Sequence, residues 1–233
     1  MRSDLTGVLF PLREHKGISK RILDEEGYRM YQVSAQFTTT QEQELMKNFG
    51  VDVSKMISGA LDNEVDLSLD KTIIKKMEEL ADHKSIDVSS AKSEKYLSFI
   101  EHIVSSQSNR FDFMICSSSI GSMLQSTRSF ISSSIETIEL DFVTGQAKPR
   151  NTCFFKIGTL FNVSIYVNTQ MKFEELYVLF GKSGSMLIDT ATGKEEERND
   201  EVATNRNIIY LKITVDESAK FEILTGLKSD FNT

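Results

Sequence analysis

DVSKMISGALDNEVDLSLDKTIIKKMEELADH, residues 52–83, carries one long amphipathic pattern. Its apolar residues recur every four positions, at Val53, Ile57, Leu61, Val65, Leu69, Ile73 and Met77. This spacing is typical of one face of an α-helix. Asp52 is a good N-cap, no proline interrupts the run, and only Gly59 weakens it. We therefore predict one unbroken helix over residues 52–83.

The predicted helix is long for a chain of this size. At about 1.5 Å per residue it would extend roughly 48 Å. A compact domain of 233 residues has an expected diameter of about 35 Å, from the scaling of the radius of gyration with length. We therefore expect an elongated or flat molecule, which suits assembly better than it suits a catalytic pocket.

The charge of the chain argues against direct nucleic-acid binding. It has 27 Lys and Arg residues against 34 Asp and Glu residues, a net charge of -7. Phosphate repels such a protein unless a local basic patch is present. The densest basic stretch, 13–21, is followed at once by acidic residues at 24–26. We therefore predict that the chain does not bind DNA directly.

The sequence contains no apolar run of 18 residues, and its first residues lack the apolar core of a signal peptide. We expect that the chain does not span a membrane and that it is synthesised in the cytoplasm. Cys116 and Cys153 both lie in apolar, strand-like surroundings. We interpret them as buried free thiols in a reducing compartment, with a disulfide as the alternative.

Alternating and apolar runs predict strands on both sides of the long helix. Near the N-terminus, the apolar run 7–13 and the alternating run 28–39 predict an extended hairpin around a charged loop, 14–27. A capping box at 40–43 predicts a short helix that ends near Gly50.

The remainder of the chain predicts two further helices and then a sheet. The helices are predicted at 91–105 and 118–132, and a solvated loop at 192–204. The predicted strands are 111–116, 154–160, 162–168, 176–180, 207–215 and 221–224. Strands, a long helix, a mixed middle and then strands indicate an α+β fold rather than alternating βαβ units.

Two short motifs test for an enzyme. Gly181-Lys-Ser183 resembles the end of a phosphate-binding loop, but the glycine required five residues earlier is Leu176, inside an apolar strand. Ser89 and Lys92 match the serine–lysine pair of some acylating enzymes, without its companion motifs. His15, His83 and His102 do not have metal-binding spacing. We predict no catalytic residue, cofactor or metal; a small hydrolase or nucleotide-binding enzyme is the rival hypothesis.

The long helix also carries acidic residues on its predicted polar sides, at Asp62, Glu64, Asp66 and Asp70. One interpretation is a solvated helix face. The other is pairing with basic residues of an adjacent subunit. The sequence leaves both open.

Four segments in order resemble the major capsid protein of T-even-like tailed phages. They are the run LTGVLFPLR at 5–13, the segment from NFGVD at 48–52 through SGALDNE at 58–64 to Met77, DFMICS at 112–117, and GTLFNVSIYVN at 158–168 followed by 176–184. Together they extend over residues 5–184, about three quarters of the chain. Phe161-Asn162 stands where the family has a glycine. The match begins almost at Met1, so we expect neither an N-terminal arm nor a processed propeptide.

The resemblance implies the shell fold of tailed phages and herpesviruses. Residues 1–40 would form an extended loop and a peripheral-domain strand, 41–89 the peripheral domain with its spine helix, 90–170 a mixed axial domain, and 171–233 the strands that return to the peripheral domain. The loop would lie over a neighbouring subunit. With the helix acids, the expected subunit-interface residues are Arg13, His15, Lys16, Lys20, Arg21, Asp24, Glu25, Glu26, Asp62, Asp66 and Asp70.

The function that the resemblance implies is mechanical. Copies would form pentamers and hexamers that close into an icosahedral shell around phage genomic DNA in the virion. Portal, scaffold, vertex or decoration proteins would be its partners. A vertex or accessory head protein, or the shell protein of a cargo compartment, is the alternative on the same fold.

Overall fold

The computed structural model confirms the mixed α+β class. It describes residues 9–10, 12–15, 26–87, 93–133, 138–140, 147–149, 154–171 and 176–227. The helices in these ranges are α1 (Thr39–Phe49), α2 (Val53–Leu80), α3 (Ser93–Gln107) and α4 (Ser118–Gln125). The strands are β1 (Leu12–His15), β2 (Arg29–Thr38), β3 (Ala81–Asp87), β4 (Phe113–Cys116), β5 (Phe130–Ser132), β6 (Ile138–Leu140), β7 (Ala147–Pro149), β8 (Phe154–Leu160), β9 (Val163–Asn168), β10 (Leu176–Gly181), β11 (Met186–Arg198), β12 (Val202–Val215) and β13 (Phe221–Leu227).

The long helix is present as one uninterrupted element of 28 residues, α2. Asp52 caps it, because its carboxylate accepts a hydrogen bond from the backbone N–H of Lys55 at 3.0 Å. That bond lowers the pKa of Asp52. The apolar stripe is buried along its length, from Val53 to Met77. The helix ends at Leu80, earlier than predicted, because residues 81–87 pair in parallel with β13. His83 is therefore in a strand and not at a helix end.

The first compact unit comprises Met1–Ile73 and Met186–Val215. Its four-stranded sheet has the order β1-β11-β12-β2. β11 and β12 form a long antiparallel hairpin, in register from Met186 opposite Val215 to Arg198 opposite Ala203. β2 pairs antiparallel with β12, and β1 pairs in parallel with β11.

The second compact unit comprises Ile74–Ser185 and Asp216–Thr233. Its seven-stranded mixed sheet has the order β3-β13-β10-β4-β9-β8-β5. The fully apolar β4 and β10 lie near the centre of this sheet, as residues buried on both faces should. Ile100 and Val104 of α3 and Ile120 and Leu124 of α4 join the strands in one apolar cluster. β6 and β7 form a separate two-stranded sheet.

The prediction that the two N-terminal strands form a hairpin is wrong. β1 and β2 lie on opposite edges of the four-stranded sheet, with β11 and β12 between them. The two central strands are the longest in the described chain, at 13 and 14 residues, and a tight turn joins them. They fill the centre of the sheet and leave β1 and β2 only its edges.

Two other predictions from the C-terminal half are wrong. The predicted solvated loop 192–204 belongs to the β11–β12 hairpin, where its charged residues pair across the strands: Arg206 contacts Glu197 at 2.9 Å. The predicted helix 118–132 ends at Gln125, and Phe130–Ser132 instead pairs with β8. Phe130 and Ile131, an aromatic and a β-branched residue, favour a strand in this segment. Cys116 is a buried free thiol as interpreted, whereas Cys153 lies outside the described residues.

Candidate assembly surfaces

Most of the charged loop that was predicted to contact a neighbour lies outside the described residues. This applies to Lys16, Lys20, Arg21, Asp24 and Glu25. At its margins, Arg13 on β1 and Glu26 before β2 are exposed. His15 is the last residue of β1, with its backbone opposite Ala191.

The two ends of this loop are fixed by the sheet. His15 lies opposite Ala191, Ala191 opposite Tyr210, and Tyr210 opposite Met30, so one row of the sheet joins the end of β1 to the start of β2. Three strand spacings separate them, about 14 Å. The loop therefore connects opposite edges of the four-stranded sheet and does not turn back between paired strands.

Asp62 is held by contacts within its own chain. Lys194 on β11 approaches Oδ2 with its Nζ at 2.7 Å, and Asn207 on β12 donates from Nδ2 to Oδ1 at 2.7 Å. Asn205 donates to the backbone and hydroxyl of Ser54, one helical turn before Ser58. Lys194 and Asn207 were not predicted as partners of the helix.

The polar side of α2 is thus partly a packing surface. Ser54, Ser58 and Asp62 recur every four residues and face the hairpin, and Asp66 and Asp70 continue that spacing. Asp66 is half-buried and Asp70 is only 4% exposed. The solvated-face interpretation is therefore wrong for Asp70. The sequence signal for this packing was the four-residue spacing of the polar residues, because the same spacing marks the buried apolar stripe of the helix.

The tip of the β11–β12 hairpin is tied to the start of α1. Thr39 donates from its backbone N–H to Glu201 O at 3.1 Å and from its hydroxyl to Asp200 O at 2.7 Å. Arg198 forms an ion pair with Glu42 in the first turn of α1. The acidic segment 195–201 is therefore fixed to its own unit.

An apolar surface surrounds the junction of α1 and α2. Phe49, the last residue of α1, is 73% exposed, and Met46 on α1 and Met56 on α2 are also exposed. A groove of about 440 Å³ lies here, lined in part by Phe37, Leu45 and Val53. Exposed apolar clusters of this kind are typical of contact surfaces.

The phosphate-loop rival has no structural support at Gly181–Ser183. Gly181 is the last residue of β10, and its close neighbours explain the glycine: a Cβ there would lie 2.3 Å from the ring of Phe113. Ser183 instead donates from its backbone and its hydroxyl to Asp112 Oδ1, at 2.7 and 3.0 Å. The chain continues into β11, so no helix N-terminus is available for phosphate. Ser89 and Lys92 lie outside the described residues.

The most concentrated charge in the second unit surrounds Glu222 of β13. This carboxylate is 1% exposed and receives Lys84 Nζ at 2.5 Å and Arg110 Nη1 at 3.1 Å on one oxygen. Gln107 Nε2 donates to the other oxygen at 2.7 Å. The cluster joins β13 to β3 and to the end of α3, and its saturated hydrogen bonding indicates a structural role.

The Cys116 thiol and a possible metal position are the other candidates for chemistry in the described part of the chain. Burial raises the pKa of the Cys116 thiol to about 12, so the thiol is neutral and unreactive near pH 7. Among the described residues, no three His, Cys, Asp or Glu side chains converge on a possible metal position. None of the described helices has the length and apolarity needed to cross a bilayer.

Comparison with known proteins finds likeness in structure and not in sequence. No protein-family model matches the chain, and no curated protein matches it. A chain of the solved structure of Mycobacterium phage Che8 is similar with a TM-score of 0.53 at 9% identity, covering 83% of this chain and 70% of that chain. The holo-SrpI encapsulin complex from Synechococcus elongatus PCC 7942 gives 0.51 at 8% identity, covering 88% and 76%.

The capsid of Myoviridae Phage XM1 gives a TM-score of 0.50 at 8% identity, covering 86% of this chain and 74% of that chain. At identities this low, the likeness concerns the polypeptide fold. It confirms the predicted fold class: this chain has the fold of tailed-phage capsid proteins, which encapsulin shares.

Proposed function

We propose that this chain is a structural protein whose copies form hexamers and pentamers and close into an icosahedral shell around phage genomic DNA. The observation that carries the proposal is the fold, which aligns over 83–88% of the chain with two phage structures and an encapsulin complex. The proposed role is mechanical and requires no reactive group. Its location would be the virion.

The T-even-like relationship is the finer part of the proposal and depends on the four sequence segments. Two of them coincide with defined elements: 112–117 contains β4, and 158–168 contains most of the β8–β9 hairpin. In that hairpin Phe161 and Asn162 both have positive φ, at 50° and 66°. This is the backbone of a two-residue hairpin turn, a position at which glycine is favoured. The family's glycine and this Phe-Asn pair thus meet the same requirement.

We propose the subunit interface at the charged loop 16–26 together with Arg13 and His15. Both loop margins described by the structure lie at sheet edges, where a neighbour can reach them. Asp62, Asp66 and Asp70 stay proposed interface residues only in a secondary role, because Asp62 already has partners in its own chain and Asp70 is only 4% exposed. The domain boundaries at residues 40, 89 and 170 stay a prediction.

The net charge of -7 supports enclosing DNA without binding it directly, because a net acidic protein repels phosphate. Partners would be further copies of this chain and other head proteins, such as portal, scaffold, vertex or decoration proteins. A vertex or accessory subunit on the same fold is a variant of this proposal.

A second candidate is the shell protein of a cargo compartment. The similarity to the encapsulin complex favours it, because that chain aligns with 88% of this one, at a TM-score of 0.51. The fold is common to both candidates. They differ in what the shell contains.

The test is to produce the full chain alone and examine it by sedimentation and electron microscopy. We expect capsomers or closed particles with icosahedral symmetry. A strictly monomeric species at high concentration would contradict both candidates. Particles isolated with co-expressed phage head proteins and nuclease-protected DNA would support the capsid, and particles that retain a protein cargo would support the compartment.

A further inference from the structure

β2 is an edge strand of the four-stranded sheet in the described part of the chain. One edge pairs with β12 at ten consecutive positions, from Arg29 opposite Leu211 to Thr38 opposite Val202, without a bulge. No strand in the described part of the chain pairs with its other edge. Free edges expose unpaired N–H and C=O groups, and soluble proteins usually protect them with charges, proline or bulges. Residues 30–38, MYQVSAQFT, contain no charge and no proline.

The other edges of the two larger sheets are short or charged. β1 and β5 have four and three residues. β3 is longer, but it exposes Asp82, His83 and Lys84 in succession. β2 is therefore the one long edge, among those described, that lacks a device against pairing.

The sequence of β2 is self-complementary. Residues 31–37, YQVSAQF, read aromatic, Gln, aliphatic, Ser, aliphatic, Gln, aromatic in either direction. If two copies pair antiparallel about Ser34, Tyr31 lies opposite Phe37, Gln32 opposite Gln36, and Val33 opposite Ala35. Matched pairs of this kind are the ones that stabilise antiparallel strands. Arg29, the only charge on β2, would lie opposite residue 39 and not opposite its own copy.

We propose that β2 is a docking edge for β2 of a second copy of this chain, in a two-fold antiparallel pair centred on Ser34. The pair joins two four-stranded sheets into one continuous sheet of eight strands. Such a contact is isologous, because the same surface serves both copies. It would be one interface of the proposed shell, and in that sense it rests on the proposed function, although a dimer needs no shell.

The burial of β2 agrees with this geometry. Gln32, Ser34 and Gln36 are exposed on one face, whereas Tyr31, Val33 and Ala35 are half-buried and Phe37 is buried on the other. Pairing about Ser34 continues the polar face with polar residues and the apolar face with apolar residues. A shift by one residue would place apolar residues opposite polar ones, so shifts by an odd number of residues are excluded. Among the remaining registers, the one centred on Ser34 pairs the two Gln residues with each other and the two aromatic residues with each other.

The register gives a direct cross-linking test on the full chain. In the Ser34→Cys variant the two new cysteines lie opposite each other, with Cα atoms about 4.5–5.5 Å apart, within disulfide reach. In the Gln32→Cys variant they lie about 14 Å apart, which is four residues along the strand. We expect mild oxidation to give a covalent dimer with Ser34→Cys and no more than the wild-type background with Gln32→Cys.

A charge test gives an independent readout in solution. In Gln32→Lys/Gln36→Glu each lysine faces a glutamate of the other copy, so dimers should persist and become sensitive to salt. In Gln32→Lys/Gln36→Lys each lysine faces a lysine of the other copy, so self-association should weaken by about tenfold. Both variants change only residues that are exposed in the single chain. Circular dichroism checks that each one folds.

The outcomes separate this contact from the proposed function. Equal cross-linking of Ser34→Cys and Gln32→Cys, or equal association of the two charge variants, would overturn the register. Normal particles without a Ser34→Cys dimer would overturn the contact and leave the shell proposal standing. A specific Ser34→Cys dimer in a protein that forms no particles would support the contact and count against the shell.

Discussion

Gly158 of β8 is a residue whose missing side chain is required by the fold. A Cβ at this position would lie 2.4 Å from the backbone oxygen of Ile131 and 2.5 Å from the ring of Phe130. Because one neighbour is backbone, β5 would have to move away from β8. We expect Gly158→Ala to lower the free energy of unfolding by about 1–3 kcal/mol, measured in urea. Gly193→Ala is the matched control, since that Cβ meets nothing within 4 Å and should change stability by less than about 0.5 kcal/mol.

The partners of Glu222 should contribute unequally to stability. The carboxylate is 1% exposed, whereas the side chains of Lys84 and Arg110 are half-exposed at 50% and 49%. Glu222→Ala removes three polar contacts at a buried position, and we expect it to cost about 1–3 kcal/mol. Lys84→Met leaves Arg110 and Gln107 on the carboxylate and should cost less than about 1 kcal/mol. Equal losses for the two variants in urea unfolding would show that the site is not buried as described.

At the scale of elements, polar contacts hold α2 to the β11–β12 hairpin. Asn207 is 4% exposed, whereas the side chain of Lys194 is 58% exposed. Asn207→Ala removes the amide that donates to Asp62 Oδ1 in a part-buried contact, and we expect a loss of about 1–3 kcal/mol in unfolding free energy, as for a hydrogen bond to a charged group. Lys194→Ala should lose less than about 1 kcal/mol because water screens that pair. If Asp62 served only a contact between subunits, neither variant would change the stability of unassembled protein.

Helices and strands were predictable where the sequence has a regular apolar repeat or a continuous apolar run. The four-residue apolar repeat of α2 predicted a helix within a few residues of its ends, and the apolar run 176–180 predicted β10. The polar segment 192–204 was not predictable as a strand, because its pairing depends on contacts such as Arg206 with Glu195 and Glu197 across the hairpin. Ala81–Asp87 was missed for a similar reason: its partner, β13, lies about 140 residues away in the sequence.

The assembly surfaces were the least predictable part of the chain. The loop 14–27 was recognisable by charge and family resemblance, but its connection of opposite sheet edges depends on the β11–β12 hairpin between them. The open edge of β2 is visible only once the strand order is known, although the symmetry of YQVSAQF is readable in the sequence alone. The partners of the polar side chains on α2 stayed open between solvent and an adjacent subunit, because a single sequence does not say which strand packs against a helix.

At the scale of the whole molecule, the charged loop should be needed for assembly and not for folding. Since β1 continues to His15 and pairs with Ala191, the deletion should remove residues 16–26 and leave β1 intact. A six-residue Gly/Ser linker should replace the deleted residues. Such a linker can extend about 20 Å, which is enough for the roughly 14 Å between the two sheet edges. We expect the variant to keep the circular dichroism and the urea midpoint of the full chain and to form no closed particles in the electron microscope.

A scrambled loop of the same length and composition is the control, and it should also fail to assemble if specific contacts matter. Normal particles from the deletion variant would show that the loop is not an intersubunit clasp. The Ser34→Cys substitution in the same deletion variant separates the two proposed contacts. Because β2 begins at Arg29, outside the deleted segment, the covalent β2 dimer should still form when the particles do not.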